Sequence, residues 1–288
     1  MRTLLEVMTE APAELTEGRL KRLGEGVGKV VYASNHWVVK RERTTSEIFS
    51  MIVAWKMIRR MERHLPGDWG RNMRQHPSRQ LRMLRVAARA MVAVVPRGVW
   101  YSSHVGDMWR LYAHRDTRGE HLAVKHLAGT SVVPETITFP PTRIRISGWP
   151  GYLTVSEATE RVEGTLYDRV AVLAAKGLFE QVEIWLERLL ELRRAAWRRG
   201  VFSVDAHLRN FGVVHSRVVL LDAGGLTDRW EEVEQHLAKL AAAAQPHVEM
   251  GLGEILRDAP SVARRFDEKW KESVNREAVS YYWPDRYR

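Results

Sequence analysis

Apolar and polar positions alternate differently in the two halves of the chain. From Arg19 to Lys40 the apolar residues come in short runs, Arg19–Leu23, Lys29–Ala33 and Trp37–Lys40, separated by a glycine cluster and by Ser34-Asn35. β-Branched runs between turn formers predict three short strands. Thr44-Thr45-Ser46 ahead of Glu47 is a helix-start pattern. Ile48, Met51, Ile52, Trp55 and Ile58 then recur at spacings of three and four, which predicts a helix to about His64, ended by Pro66-Gly67. A second, basic helix is expected over His76–Val95. Further strands are expected over Val99–Ser103, Trp109–His114, His121–His126, Arg143–Ile146 and Tyr152–Ser156.

Beyond about residue 150 the helical period dominates. Gly164–Lys176 and Leu178–Arg199 read as helices, the second with Phe179, Val182, Trp185, Leu186, Leu189 and Leu192 on one face. Phe211–Val214 and Arg217–Leu221 predict a hairpin about His215-Ser216. Trp230–Ala244 and Ser261–Glu277 predict two more helices. Strands followed by helices imply an α+β chain in two parts, 1–155 and 156–288.

Composition narrows this picture. A chain of 288 residues, 45% hydrophobic and 28% charged, can bury a core without staples. It has no cysteine, which excludes disulfide frameworks, thiolate nucleophiles and cysteine-bound zinc. Met1–Leu15 carries Glu6, Glu10 and Glu14 and does not read as a signal peptide. Ala87–Val95, interrupted by Arg89, falls short of the roughly 20 apolar residues of a spanning helix. A cytoplasmic protein without a membrane partner is expected. The net charge is +10, a balance that attracts polyanions. Much of it lies between Arg59 and Arg89, in a basic insertion covering about residues 66–98. That block reads either as a solvated helix face or as a docking surface for an acidic protein or other macromolecule. Its few aromatics give no support for base stacking.

Candidate chemistry begins at Gly24, Gly26 and Gly28. Three glycines in five positions between two strands let backbone amides approach a phosphate. The spacing is not a Walker A loop, and the strand that follows excludes a dinucleotide fingerprint. Lys40 ends the third strand, where a point charge can pair with phosphates. Glu47 opens the following helix, where a carboxylate can hold that lysine. The strongest signal is Asp205-Ala-His207-Leu-Arg-Asn210, after a long amphipathic helix and before the hairpin, which ends in Asp222-Ala-Gly224. Two aspartates and an asparagine so placed offer a base and hard-oxygen ligands for magnesium. The eleven histidines include no His-x-x-x-His with a nearby glutamate. No Gly-x-Ser-x-Gly motif supports a serine nucleophile.

In this order, from about Gly18 to Trp230, the motifs resemble the protein-kinase-like superfamily. The Asp-x-His-x-x-Asn loop is most similar to that of aminoglycoside and choline kinases and of small phage and bacterial kinases. The resemblance implies a two-lobed fold and magnesium-ATP-dependent phosphate transfer to a hydroxyl of a protein or small molecule. It implies that Gly24, Gly26 and Gly28 cover the phosphates, and that Lys40, paired with Glu47, clamps them. Asp205 would accept the hydroxyl proton, and Asn210 and Asp222 would bind magnesium. The connector Ser156–Glu163, with Ser156 and Ala158, would meet adenine. The chain departs from the pattern in three places. Ser203 stands where the family has a histidine, Asp222-Ala-Gly lacks the phenylalanine, and only a few residues separate Gly225 from the helix near Trp230. A nucleotide-binding pseudokinase with a regulatory role and a kinase-fold AMP transferase are the alternative readings.

Overall fold

The computed structural model describes residues 8–25, 29–44, 47, 118–148, 150–243 and 245–285. The chain divides into two compact units. One comprises Met1–Leu20, Ala33–Val39 and Arg115–Arg288, the other Lys21–Tyr32 and Lys40–His114. The architecture is α+β. The helix expected after Glu47, the basic insertion and the strands expected at Val99–Ser103 and Trp109–His114 lie outside the described residues.

In the larger unit a short helix α1 (Ala13–Thr16) leads into β1 (Arg19–Glu25), β2 (Lys29–Ala33) and β3 (Trp37–Glu42), each of which places some residues there. Residues 118–127 form helix α2, whose last part, Ala123–Leu127, is a π turn. The expected strand at His121–His126 is therefore a helix. The reason is visible in burial: Gly119, Leu122, His126 and Leu127 are the buried positions, a helical spacing. Strands β4 (Thr136–Ile146) and β5 (Tyr152–Glu160) follow as a long antiparallel pair. Its register shifts between Thr138 and Thr142, where Pro140 and Pro141 cannot donate to the ladder. Arg19 and Leu20 of β1 pair in parallel with Arg145 and Ile146, and Trp37 and Val38 of β3 pair with Glu160 and Thr159. The strand order is β1-β2-β3-β5-β4.

β5 extends through Glu160, so the connector expected to begin at Ser156 begins only at Arg161. The polar run Ser156–Glu160 stays extended because β4 takes one edge, opposite Glu157, Ala158 and Thr159, and β3 takes the other. Ser156 and Ala158 thus sit inside a strand, Ser156 exposed and Ala158 buried.

After β6 (Gly164–Thr165), Thr165 and Asp168 close a reciprocal capping box that starts α3 (Leu166–Ala175). Helix α4 (Phe179–Trp197) buries Val182, Trp185, Leu186, Leu189 and Leu192, the face its periodicity predicted, together with Arg193. β7 (Phe202–Ser203) pairs with β10 (Leu226–Thr227), while β8 (Phe211–Val214) and β9 (Arg217–Leu220) form the expected hairpin on β6. His215 turns it at φ 53°, a left-handed conformation. Helix α5 (Trp230–Ala242), the single turn α6 (Pro246–Glu249), α7 (Pro260–Ser273) and α8 (Arg276–Tyr282) complete the unit. The expected helix Ser261–Glu277 is interrupted at Val274, where Asn275 accepts from the Ala278 amide and caps α8 anew. The core gathers around Leu189, Trp197, Phe202, Leu208, Phe211 and Trp270. Among the described residues no helix is long and apolar enough to cross a membrane.

Candidate functional site

Two loops of the larger unit carry the candidate chemistry, and the hairpin joins them. The Asn210 carbonyl accepts from the Leu221 amide at 2.8 Å and from the Asp222 amide at 3.4 Å, so the ends of β8–β9 root Asn210 and Asp222 side by side. On the other side of the loop, the Val204 amide donates to the Gly225 carbonyl at 2.8 Å. A Cβ on Gly225 would lie 3.0 Å from Asp205 Cβ, a tight contact that glycine avoids. Asp205, Asn210 and Asp222, picked out from the sequence, are thereby brought together within one unit.

Each aspartate closes its own turn. Asp205 Oδ1 accepts from the His207 amide at 3.1 Å, and Asp222 Oδ1 accepts from the Gly224 amide at 2.9 Å. In each, Oδ2 makes no hydrogen bond among the described residues, and neither does the side chain of Asn210. Both carboxylates are exposed. Two carboxylate oxygens and an amide oxygen, held by backbone geometry and otherwise unused, suit a hard cation that also takes phosphate oxygens. The donor set therefore fits magnesium.

His207 braces the loop. Its Nδ1 accepts from the Arg209 amide at 3.2 Å, which leaves the proton to Nε2. Tyr167 of α3 stacks on the ring at 6.2 Å between centroids, with the Arg209 guanidinium over the tyrosine at 4.4 Å. Gly251, at φ +84°, fits against the ring where a Cβ would come 2.5 Å from Nε2. The Leu208 amide donates to the Met250 carbonyl at 3.1 Å, so residues 250–251 support the loop from outside.

Sequence reasoning missed three participants. Arg193, 2% exposed, donates through Nη2 to the Ser203 carbonyl at 3.1 Å. Its guanidinium lies 5.1 Å from the ring centroids of Phe202 and Trp270, and its Nε and Nη1 have no partner among the described residues. Burial pulls its pKa down to about 10, against the opposing pull of Asp205. An arginine on the apolar stripe of α4, four residues after Leu189 and four before Trp197, was the available signal. The second is Gly119. A Cβ there would lie 1.8 Å from the Ala223 carbonyl oxygen, so α2 rests on the Asp222-Ala-Gly turn. The third is Arg118, which fixes α2 to the segment after β10 through Glu232 at 3.0 Å and Asp228 at 3.2 Å.

The smaller unit holds Gly24, Lys40 and Glu47, while Gly26 and Gly28 lie outside the described residues. Lys40 is exposed on β3. Glu47 accepts from its neighbour, Arg41, in a bidentate pair at 3.0 Å through each nitrogen. Arg41, next to Lys40 on β3, is thus a partner of Glu47 that the sequence reading did not single out. Glu47 and Thr44 also complete a capping box, at 2.9 Å and 3.3 Å. Arg41, more than any other group, lowers the Glu47 carboxyl to about 2, helped by the Thr44 amide and opposed by burial.

No protein-family model, curated protein or solved structure matches the chain.

Proposed function

We propose that the protein is a magnesium-ATP-dependent phosphotransferase of the two-lobed, protein-kinase-like type, acting on a hydroxyl. One observation carries this reading. The shared Asn210 carbonyl joins the Asp205–Asn210 loop to Asp222 and leaves two carboxylate oxygens and one side-chain amide uncommitted at the junction. Asn210 and Asp222 hold magnesium, which when bound neutralises charge on the phosphate oxygens. Asp205 orients the acceptor hydroxyl through Oδ2 and takes its proton as the new O–P bond forms, while ADP departs with the electrons of the broken bond. Lys40 pairs with the phosphates, and Gly24, Gly26 and Gly28 supply amides to them. The chain after β5, from Arg161, meets adenine. A net charge of +10 favours an acidic macromolecular acceptor.

Calorimetry of ATP binding, with and without magnesium, tests the metal assignment. Affinity rises with magnesium in the wild type and loses that dependence in Asp222→Asn. Equal wild-type affinity in both conditions overturns the assignment. ATP labelled on the γ or the α phosphate then separates the chemistries. Transfer of γ label supports the proposal, transfer of α label identifies an AMP transferase, and binding without transfer identifies a pseudokinase.

A further inference from the structure

A second polar site lies in the groove between α6 and α7, a cavity of 470 Å³ in the larger unit, outside the residues assigned to phosphate transfer. His247 lines it and is fixed by Asp267, whose Oδ1 takes the His247 amide at 2.8 Å and whose Oδ2 pairs with Nδ1 at 2.8 Å. Both side chains are largely buried, with 13% and 14% exposed. This engages both oxygens of the carboxylate and leaves Nε2 as the polar atom that His247 has for a ligand. Arg257 and Arg264 also line the groove. Among the described residues neither guanidinium makes a hydrogen bond or ion pair. By contrast Arg265, beside Arg264 on α7, pairs with Glu183. Two uncommitted forks thus line the same groove as an oriented imidazole. Glu268 is the one lining carboxylate besides Asp267.

We propose that this groove binds a small phosphate monoester, held by Arg257, Arg264 and His247. A guanidinium fork matches two phosphate oxygens at once, and the Nε2 of an imidazole whose Nδ1–H is given to a carboxylate accepts from the hydroxyl of a monoprotonated phosphate. A cavity of this volume takes a phosphorylated metabolite of modest size. The site is joined to the Asp205–Asn210 loop by one turn of chain. α6 begins at Pro246 and ends at Glu249, and the Met250 carbonyl and Gly251 that follow it support Leu208 and His207.

The test uses the full chain with imidazole-labelled histidine, titrated with inorganic phosphate at constant ionic strength, with chloride as the control. The His247 signal, identified by its loss in His247→Gln, shifts saturably with phosphate and not with chloride. In the double variant Arg257→Ser, Arg264→Ser, which changes two exposed side chains, the phosphate affinity falls at least about tenfold, as expected on losing charge-assisted hydrogen bonds. Arg257→Lys, Arg264→Lys keeps charge without the fork and gives an intermediate affinity. A shift that does not saturate, an equal response to chloride, or unchanged affinity in either double variant overturns the proposal. None of these outcomes depends on ATP or on turnover, so the site fails or stands apart from the phosphotransfer reading.

Discussion

Arg193 reaches the Ser203 carbonyl at 3.1 Å from α4, placing a buried cation beneath the loop that carries Asp205. The Asp205 charge opposes the burial that lowers the Arg193 pKa. Two of the three guanidinium nitrogens are buried without partners among the described residues. A buried charge so incompletely satisfied costs desolvation energy that its single hydrogen bond offsets only in part. Stability is therefore a poor reason for its presence. Arg193→Met should unfold in denaturant within about 1.5 kcal/mol of the wild type, as volume-conserving core changes do, while turnover drops at least about tenfold through the loosened loop. A large stability loss with normal turnover per folded molecule would falsify the positioning role.

The contact between Gly225 and Asp205 gives a steric test. Gly225→Ala places a Cβ 3.0 Å from Asp205 Cβ and 3.1 Å from its amide nitrogen, so the loops must yield by a few tenths of an ångström. The expected cost is about 1–3 kcal/mol of stability, typical of overpacking, together with loss of most turnover. Gly164→Ala meets nothing within 4 Å and serves as the control for added bulk. Equal melting temperatures and turnover for the Gly225 variant and the wild type would show that the loops have slack.

Asp205→Asn keeps the shape of the side chain and its hydrogen bond from the His207 amide, but removes the proposed base. Turnover should fall by roughly 10²–10⁴-fold, the usual contribution of such a group, with ATP affinity unchanged by calorimetry. If the rate survives, the proton goes elsewhere.

The acid limb of stability should report Glu47. Its folded pKa, about 2, is depressed relative to its ordinary value, chiefly by Arg41. The sign follows: the contribution is fully present above the unfolded pKa of about 4.3 and is lost as pH falls toward 2. Denaturant midpoints for wild type and Glu47→Gln should differ at pH 6 and converge toward pH 2. A difference that stays constant over that range contradicts the Arg41 pairing.

Legibility from sequence followed the locality of the interactions. Asp205, Asn210 and Asp222 could be found because each sits at the end of a short, strongly patterned element, and the hairpin between them forces them together. The helix 118–127 was misread because His121–His126 is too short a window to separate periods, and the burial of Gly119, which fixes the helical register, depends on a partner a hundred residues later. β5 outran its prediction because pairing on both edges holds polar residues such as Glu157 extended, where their own preferences are indifferent. Val274 ended a helix that the apolar pattern would have carried on. The pairing of Glu47 with Arg41 depends on which residues of β3 come within reach of Glu47, a question that strand periodicity alone leaves open.

The Asn210 carbonyl that receives both the Leu221 and Asp222 amides has a consequence for how the molecule comes into being. The proposed metal pair consists of the two ends of one hairpin, so its assembly requires only a local closure, of the kind that forms in microseconds. The pairing of Arg19 with Arg145 joins positions far apart in the chain and must overcome a much larger loop entropy. In a refolding experiment read by pulsed hydrogen exchange, the amides of Leu221 and Val219 should gain protection before that of Leu20, and cation sites should be in place while the sheet is still closing.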